Sequence, residues 1–203
     1  MTEEDARGWI ETRYGPEKLQ RLQRYVDLLL AANESQNLIS KATEDAVWTR
    51  HILDSAQLER LAPEAPEWLD IGSGPGLPGL VLAILTERPI LLVEPRRKRV
   101  EFLAEAAQTL GLAQAQIRQA MVQKIHGGPF GAVTARAYAA LPEIFSSTIR
   151  LTNRSTIWVL PKGRSAEREL AEACEAWQGT FHVEHSLTDE AARIIVAKDV
   201  RPR

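Results

Sequence analysis

Apolar residues in the first third of the chain recur at the three- and four-residue spacing of amphipathic helices. This pattern predicts helices over 2–14 and 16–32, with Pro16 suited to a helix start. After a polar break at 33–40, Thr43 can cap a third helix that Pro63 and Pro66 bring to an end. The pattern therefore predicts an N-terminal helical segment over 1–65.

From Trp68 onward, short apolar runs alternate with helical patterns, as in a parallel sheet that helices cover on both faces. Strands are predicted near 68–71, 90–94, 115–118, 130–135 and 156–160. Helices are predicted near 78–86, 96–110, 141–151 and 165–178. The extended stretches 179–186 and 192–198 are joined by a linker too short for a parallel crossover, so they should pair antiparallel. The prediction is an α/β domain over 66–203.

Composition narrows the class of protein. The 203 residues are 44% hydrophobic and 26% charged, which is typical of a soluble globular chain. No apolar run reaches membrane-spanning length, and the acidic N-terminus lacks the features of a secretory signal, so we expect a cytoplasmic protein that binds no membrane. Cys174 is the single cysteine and the four histidines have no metal-ligand spacing, so neither a disulfide nor a metal site is predicted.

The segment Trp68–Gly79, WLDIGSGPGLPG, combines a strand, a glycine-rich turn and the start of a helix. Such a turn lets backbone approach a ligand, and the free N–H groups of the helix favour negative charge. Its glycines satisfy both G-x-G-x-G and the dinucleotide pattern G-x-G-x-x-G. Glu94, which is 20 residues after Gly74, has the spacing expected of a carboxylate that accepts hydrogen bonds from a ribose.

Asp70 favours one ligand over the other. Its carboxylate would repel a pyrophosphate but attract the sulfonium and amino groups of S-adenosylmethionine. A dinucleotide fold would also need a second βαβαβ half, which the final hairpin does not supply. The methyl donor is therefore the preferred ligand, with a dinucleotide and a purely structural turn kept as alternatives.

A basic run, Arg96–Arg99, directly follows this region. By itself it is typical of the solvated first turn of a helix. Cations at a helix N-terminus nevertheless oppose the macrodipole, which favours the arrival of an anion there. With a net charge of −2, any contact to nucleic acid must use such local patches.

Six strings together resemble the bacterial small-subunit ribosomal RNA guanine-N7 methyltransferase family, also called glucose-inhibited division protein B. They are NLISK at 37–41, RHILDS at 50–55, LDIGSGPGLPGL at 69–80, KRVEFL at 98–103, TARAYAAL at 134–141 and LPKG at 160–163. The resemblance extends in collinear order over roughly 20–198. It implies a Rossmann-like class I S-adenosylmethionine-dependent methyltransferase fold, mostly parallel, with an antiparallel final strand and an N-terminal helical cap.

The resemblance also implies a cofactor site. The implied cofactor residues are Gly72, Gly74, Gly76, Leu77, Glu94, Val122, Gln123 and Arg136. Glu94 would hold the ribose, and the backbone of Val122 and Gln123 would border the adenine. The chain departs from the family at Met121-Val122-Gln123, where arginine-x-glutamate is usual. Without the resemblance, Arg136 would be interpreted as a surface ion pair.

For the acceptor, the resemblance implies a target-base pocket lined by Asn37, His51, Asp54 and Ser55. Residue spacing alone favours a polar contact between the helical segment and the core. The resemblance further suggests that Lys162 meets an RNA phosphate, a role that the basic run suggests for Arg97 and Lys98.

The implied reaction is methyl transfer to N7 of a guanine in 16S ribosomal RNA, either free or in the small subunit. Because the N7 lone pair is already available, no general base is assigned. We expect a monomer and a target in a loop. A small-molecule methyltransferase, a nicotinamide-dependent oxidoreductase and a non-catalytic nucleotide-binding module remain the alternatives.

Overall fold

The computed structural model describes residues 1–203 and contains one mixed sheet with helices on both faces. Its helices are α1 (Glu3–Gln36), α2 (Asp54–Ala56), α3 (Gly79–Thr86), α4 (Arg97–Thr109), α5 (Leu141–Thr148) and α6 (Ala166–Ala176). Its strands are β1 (Trp68–Ile71), β2 (Ile90–Val93), β3 (Ala115–Arg118), β4 (Ala132–Thr134), β5 (Ile157–Lys162), β6 (Trp177–His185) and β7 (Arg193–Pro202).

The long first helix contains the predicted break. Thr2 and Asp5 form a capping box at its start, and Gly15 interrupts it with φ 84° and ψ 166° before Pro16 begins the second part. The helix continues beyond the predicted end to Gln36, where Asn37 adopts the left-handed conformation of a C-cap. Two helical parts joined at Gly15 are therefore confirmed.

The prediction of a third, regular helix is wrong. The segment consists of a 3₁₀ turn over Lys41–Ala46, a π-helical turn over Trp48–Leu53, the short α2 and a further 3₁₀ turn over Glu59–Leu61. Glu3 of α1 accepts hydrogen bonds from the backbone N–H groups of Trp48 and Thr49, each at 2.8 Å. Because a distant carboxylate satisfies these donors, the segment begins a new turn there.

The strand order is β3-β2-β1-β4-β5-β7-β6. The first five strands pair in parallel, whereas β7 pairs antiparallel with both β5 and β6, so the predicted final hairpin is confirmed. The order reverses between β1 and β4, and open α/β sheets bind ligands at the carboxyl ends of strands at such a reversal. Lys162, the last residue of β5, pairs with Arg193, the first of β7, which places the β6–β7 turn at this same edge.

Alternate residues of the strands face two separate cores. Trp68 packs with α3, α4 and the N-terminal helical segment, where Tyr25 is fully buried. Its neighbour Leu69 packs on the opposite face with Phe145 and Trp158, beneath α5 and α6. The helical segment thus shares a core with one face of the sheet. The predicted boundary at residue 65, between a helical cap and the α/β domain, stays a prediction. None of the helices combines the length and apolar character needed to span a bilayer.

Candidate functional site

The glycines of the loop between β1 and α3 differ in what surrounds them. Gly72, Gly74 and Gly76 all have positive φ, at 65°, 57° and 98°. A β-carbon would lie 2.4 Å from Cδ2 of Tyr138 at Gly72 and 2.5 Å from Cγ of Leu80 at Gly76. At Gly74 the nearest atom would be Nη1 of Arg99, at 3.6 Å. Packing within the chain therefore requires two of these glycines, and only Gly74 leaves room for a ligand.

Glu94 lies beside this open position. It follows β2, is 2% exposed, and accepts hydrogen bonds from the backbone N–H of Gly74 through Oε2 and of Arg96 through Oε1, each at 2.9 Å. The Arg99 guanidinium is 3.9 Å from the same carboxylate. Each carboxylate oxygen has a second lone pair. Glu94 can therefore orient the loop and still accept hydrogen bonds from a ligand.

Asp70 lies beneath the loop rather than open to it. Its Oδ2 accepts a hydrogen bond of 3.2 Å from the N–H of Gly79 at the start of α3, whereas the buried Oδ1 has no partner. Burial raises the pKa of Asp70 to about 7, against the opposing effect of the Gly79 N–H and Arg136. An unpaired buried carboxylate oxygen favours a nearby cation, because pairing removes its desolvation cost.

Arg150, which the sequence did not single out, holds the turn Val122–Lys124 through two hydrogen bonds. Its guanidinium donates to the carbonyl oxygen of Val122 at 2.5 Å and also to that of Ile125. Val122 is buried, whereas Gln123 and Met121 are exposed. Two hydrogen bonds from Arg150 thus hold the turn, although Met121 stands where the resemblance implies an arginine.

Arg136 connects with residues of the helical segment rather than with the glycine loop. Its Nη2 lies 3.2 Å from Nδ1 of His51 and its Nη1 lies 3.6 Å from Oδ2 of Asp54. Nε2 of His51 is 2.8 Å from the hydroxyl of Thr43. Since arginine only donates, Nδ1 must accept and the ring proton belongs on Nε2. Burial, with the charges of Arg136 and Arg50, lowers the pKa of His51 to about 4, so the ring is neutral at pH 7.

The turn between β6 and β7 closes over this cluster. Thr188 donates 2.9 Å to Oδ1 of Asp54, and the buried side chain of Gln57 bonds both Ser186, at 3.0 Å, and the backbone N–H of Leu187, at 2.8 Å. The sequence predicted the hairpin but neither Gln57 nor the contact of the turn with this cluster, because partners separated by about 130 positions leave no local signal.

These elements enclose a cavity of about 580 Å³ at the carboxyl edge of β4 and β5. Its volume falls within the range of ligand pockets. Its charged lining residues are Arg50, Asp54, Arg136, Lys162, Glu169, Asp189 and Arg193. The wall of the cavity thus has both hydrogen-bond donors and acceptors, carried by cationic and anionic side chains.

Three other predicted residues are buried or already paired within the chain. Ser55 is fully buried and donates 2.7 Å to the carbonyl of His51, and Leu77 is 3% exposed. Lys162 is committed to an ion pair of 2.8 Å with Glu169 and a hydrogen bond of 2.7 Å to the carbonyl of Ala139. Its side chain is 10% exposed, which leaves little surface for a phosphate.

A second concavity of about 440 Å³ lies at the start of α4. It is lined by Gln36, Asn37, Arg96, Arg97, Lys98 and Arg99. Asn37 therefore lies with the basic run, apart from His51 and Asp54. The side chain of Arg97 is 81% exposed and pairs with Glu101 at 2.7 Å. This concavity is the basic surface that the sequence predicted.

A family model described as rRNA small subunit methyltransferase G matches residues 18–194. The chain is 46% identical over 198 residues to ribosomal RNA small subunit methyltransferase G of Sphingopyxis alaskensis, covering 96% of this chain and 85% of that protein. It is 43% identical to the protein of the same name from Novosphingobium aromaticivorans, covering 98% and 89%.

Solved structures share the fold at low identity. A SAM-dependent methyltransferase from Aquifex aeolicus superposes with a TM-score of 0.62 at 11% identity, covering 78% of this chain and 95% of that one. Cofactor-bound Rv0187 from MTB superposes with a TM-score of 0.66 at 16% identity and covers 94% of each chain. The fold is that of S-adenosylmethionine-dependent methyltransferases.

Proposed function

The chain belongs to the rRNA small subunit methyltransferase G family, and from that premise we propose that it transfers a methyl group from S-adenosylmethionine to N7 of a guanine in 16S ribosomal RNA. One relationship carries the proposal. The open Gly74 position with the Glu94 carboxylate, and the cavity beside Arg136, lie at the same edge of the sheet. A donor and an acceptor bound there would be neighbours.

The residues of the loop fit the methyl donor. Gly74 leaves space for the nucleoside, Glu94 has free lone pairs for the ribose hydroxyls, and Asp70 has an unpaired oxygen that attracts positive charge. The turn at Val122 and Gln123 would border the adenine through its backbone, held by Arg150. Gly72, Gly76 and Leu77 would shape the loop around these groups. When bound, S-adenosylmethionine supplies an electrophilic methyl group on its sulfonium.

The cavity beside Arg136 would receive the guanine. Its N7 lone pair attacks without loss of a proton, so the residues need to position the base rather than ionise it. Arg136 is held by His51 and Asp54, which fixes a cation at the cavity wall. Asn37 and Ser55 lie outside this wall, and Ser55 would act on the base only through the backbone of His51.

The RNA backbone would meet the concavity at the start of α4. Arg97 and Lys98 are exposed there, beside the N–H groups that open the helix. Lys162 is assigned to the interior instead, because its ammonium group is already paired with Glu169. We take the partner to be small-subunit RNA or the small ribosomal subunit, the chain to act as a monomer and the location to be the cytoplasm, where this substrate is found.

The test is incubation with S-adenosylmethionine labelled in the methyl group. One reaction contains 16S ribosomal RNA transcribed in vitro, which is unmethylated, and another contains isolated small subunits. Label should enter RNA and map to a single guanine whose N7-methylation permits chemical strand cleavage. A protein that binds the methyl donor by calorimetry but labels neither substrate would overturn the proposal in favour of a small-molecule acceptor.

A further inference from the structure

Tyr138 forms part of two surfaces at once. Its ring packs against Gly72, where a β-carbon would lie 2.4 Å from Cδ2 and 3.2 Å from Cγ. The same residue lines the cavity of about 580 Å³, as the one aromatic residue among 17. The ring is partly exposed and its hydroxyl makes no hydrogen bond within the chain. It therefore lies between the glycine loop and the cavity, with ring surface left for a ligand.

The backbone around Tyr138 is fixed on both sides. Ala137 has a φ of 51°, a conformation that costs free energy for a residue other than glycine. Lys162, at the end of β5, donates 2.7 Å to the carbonyl oxygen of Ala139. Glu169 of α6 pairs with that lysine at 2.8 Å and accepts 2.9 Å from Ser165. The backbone next to Tyr138 is thus held by side chains of β5 and α6 rather than by its own loop alone.

Lys162 and Glu169 stay charged although their side chains are mostly buried. Burial disfavours the ionised form of Glu169, but hydrogen bonds from Lys162 and Ser165 outweigh burial and lower the pKa of Glu169. The ion pair therefore persists at pH 7. Lys162 acts on the cavity through the carbonyl of Ala139, as a positioning residue for the loop that carries Tyr138.

We propose that Tyr138 is the platform on which the target guanine stacks. The inference rests on the proposed function. Splayed RNA bases are held by stacking on aromatic side chains and by hydrogen bonds at their edges. The cavity supplies edge partners in Arg136 and Asp54, and Tyr138 supplies its only aromatic face. Because the ring also touches Gly72, a base stacked on it lies next to the loop that binds the methyl donor.

The experiment compares Tyr138→Phe with Tyr138→Leu. The substrate is 16S ribosomal RNA transcribed in vitro, and the measurements are kcat/KM for RNA and the cofactor Kd by calorimetry. Leucine retains apolar bulk against Gly72 but removes the stacking face, so kcat/KM should fall about 5- to 150-fold, the range for one base–aromatic stack. Phenylalanine keeps the stacking face, so Tyr138→Phe should recover most of the kcat/KM that Tyr138→Leu loses. Both variants should bind the cofactor like the wild type.

Three results would count against the inference. If Tyr138→Leu methylates RNA as well as the wild type does, the platform is refuted while the proposed function stands. If its cofactor affinity falls as much as kcat/KM, the ring serves only the packing of the loop. If the wild type methylates no ribosomal RNA while binding the cofactor, the proposed function fails, and the inference with it. Thermal unfolding of both variants checks that each is folded.

Discussion

The hydroxyl of Tyr25 donates a hydrogen bond of 2.9 Å to the carbonyl oxygen of Pro75. Tyr25 belongs to α1 and is fully buried, and Pro75 lies within the glycine loop. Burial raises the pKa of Tyr25 well above its ordinary value, so the hydroxyl remains a donor at any physiological pH. The N-terminal helix therefore supports the loop directly.

Tyr25→Phe should destabilise the protein by about 1–3 kcal/mol, because the Pro75 carbonyl loses its buried partner. It should also weaken cofactor binding, since the loop is then less well fixed. Urea unfolding and calorimetry provide the two measurements. Tyr14→Phe is the control: it removes a hydrogen bond of 3.0 Å to Glu59, which belongs to the 3₁₀ turn Glu59–Leu61 and not to the loop, so cofactor affinity should be unchanged.

Gly74→Ala and Gly111→Ala form a matched pair. Both glycines have positive φ, at 57° and 65°, and neither meets a close contact at the β-carbon position. Each substitution should therefore cost about 1–2 kcal/mol of stability, the penalty of the left-handed conformation. Only Gly74→Ala should weaken binding of S-adenosylmethionine, because its methyl group enters the space assigned to the nucleoside. Equal cofactor affinity in the two variants would show that the nucleoside does not bind next to Gly74.

Glu94→Gln should weaken cofactor binding by about 1.5–3 kcal/mol, the range for hydrogen bonds to a charged group. Glutamine preserves the shape of the side chain and can still accept from one of the two backbone N–H groups that Glu94 binds. Glu101→Gln, on the exposed surface of α4, is the neutral control for the change in charge. Calorimetry with S-adenosylmethionine decides, and a loss no larger than that of the control would place the ribose elsewhere.

The Arg97→Ala, Lys98→Ala double variant should bind 16S ribosomal RNA with a shallower dependence on salt. The slope of log K against log salt should fall by about 0.7–0.9 for each phosphate that the variant no longer neutralises. A double variant of Arg154 and Arg168, whose side chains are 90% and 77% exposed, removes the same charge elsewhere and should leave the slope unchanged. Lys162→Ala should leave it unchanged too, because that lysine is paired internally. Identical slopes in both double variants would exclude this phosphate site.

His51 and Asp70 should have opposite effects on the dependence of stability on pH. The pKa of His51 is lowered from 6.5 to about 4, so the folded state binds fewer protons than the unfolded state between these values. The stability that the neutral His51 ring contributes is therefore lost as the pH falls from 6.5 toward 4. The pKa of Asp70 is raised from 3.8 to about 7, so the folded state binds more protons, and stability is lost as pH rises.

In the His51→Gln variant, the dependence of stability on pH should therefore reflect Asp70 without the opposing effect of His51. Glutamine can accept from Arg136 and donate to Thr43 without titrating. Between pH 6.5 and pH 4.5, the stability of this variant should improve relative to the wild type as pH is lowered. Urea unfolding at three pH values measures the difference, and a difference that stays constant would show that His51 does not titrate abnormally.

Local signals account for the parts of the fold that the sequence predicted. The strand, glycine turn and helix at 68–86 and the final hairpin follow from apolar periodicity and from a linker too short for a crossover. The third helix fails because Glu3, more than 40 positions away, satisfies the N–H groups of Trp48 and Thr49. A local pattern contains no information about that carboxylate.

Residues close together in the chain and their regular spacing are enough to predict the mixed sheet, the position of the glycine loop and the separation of Gly74 and Glu94 along the chain. Tertiary structure alone decided that Tyr138 occupies the space above Gly72 and that Lys162 pairs with Glu169. It also brought the β6–β7 turn to Asp54, 134 positions away. These contacts form when the strands assemble into the sheet and distant parts of the chain meet at one edge. No local pattern of side chains encodes which residues will then be neighbours.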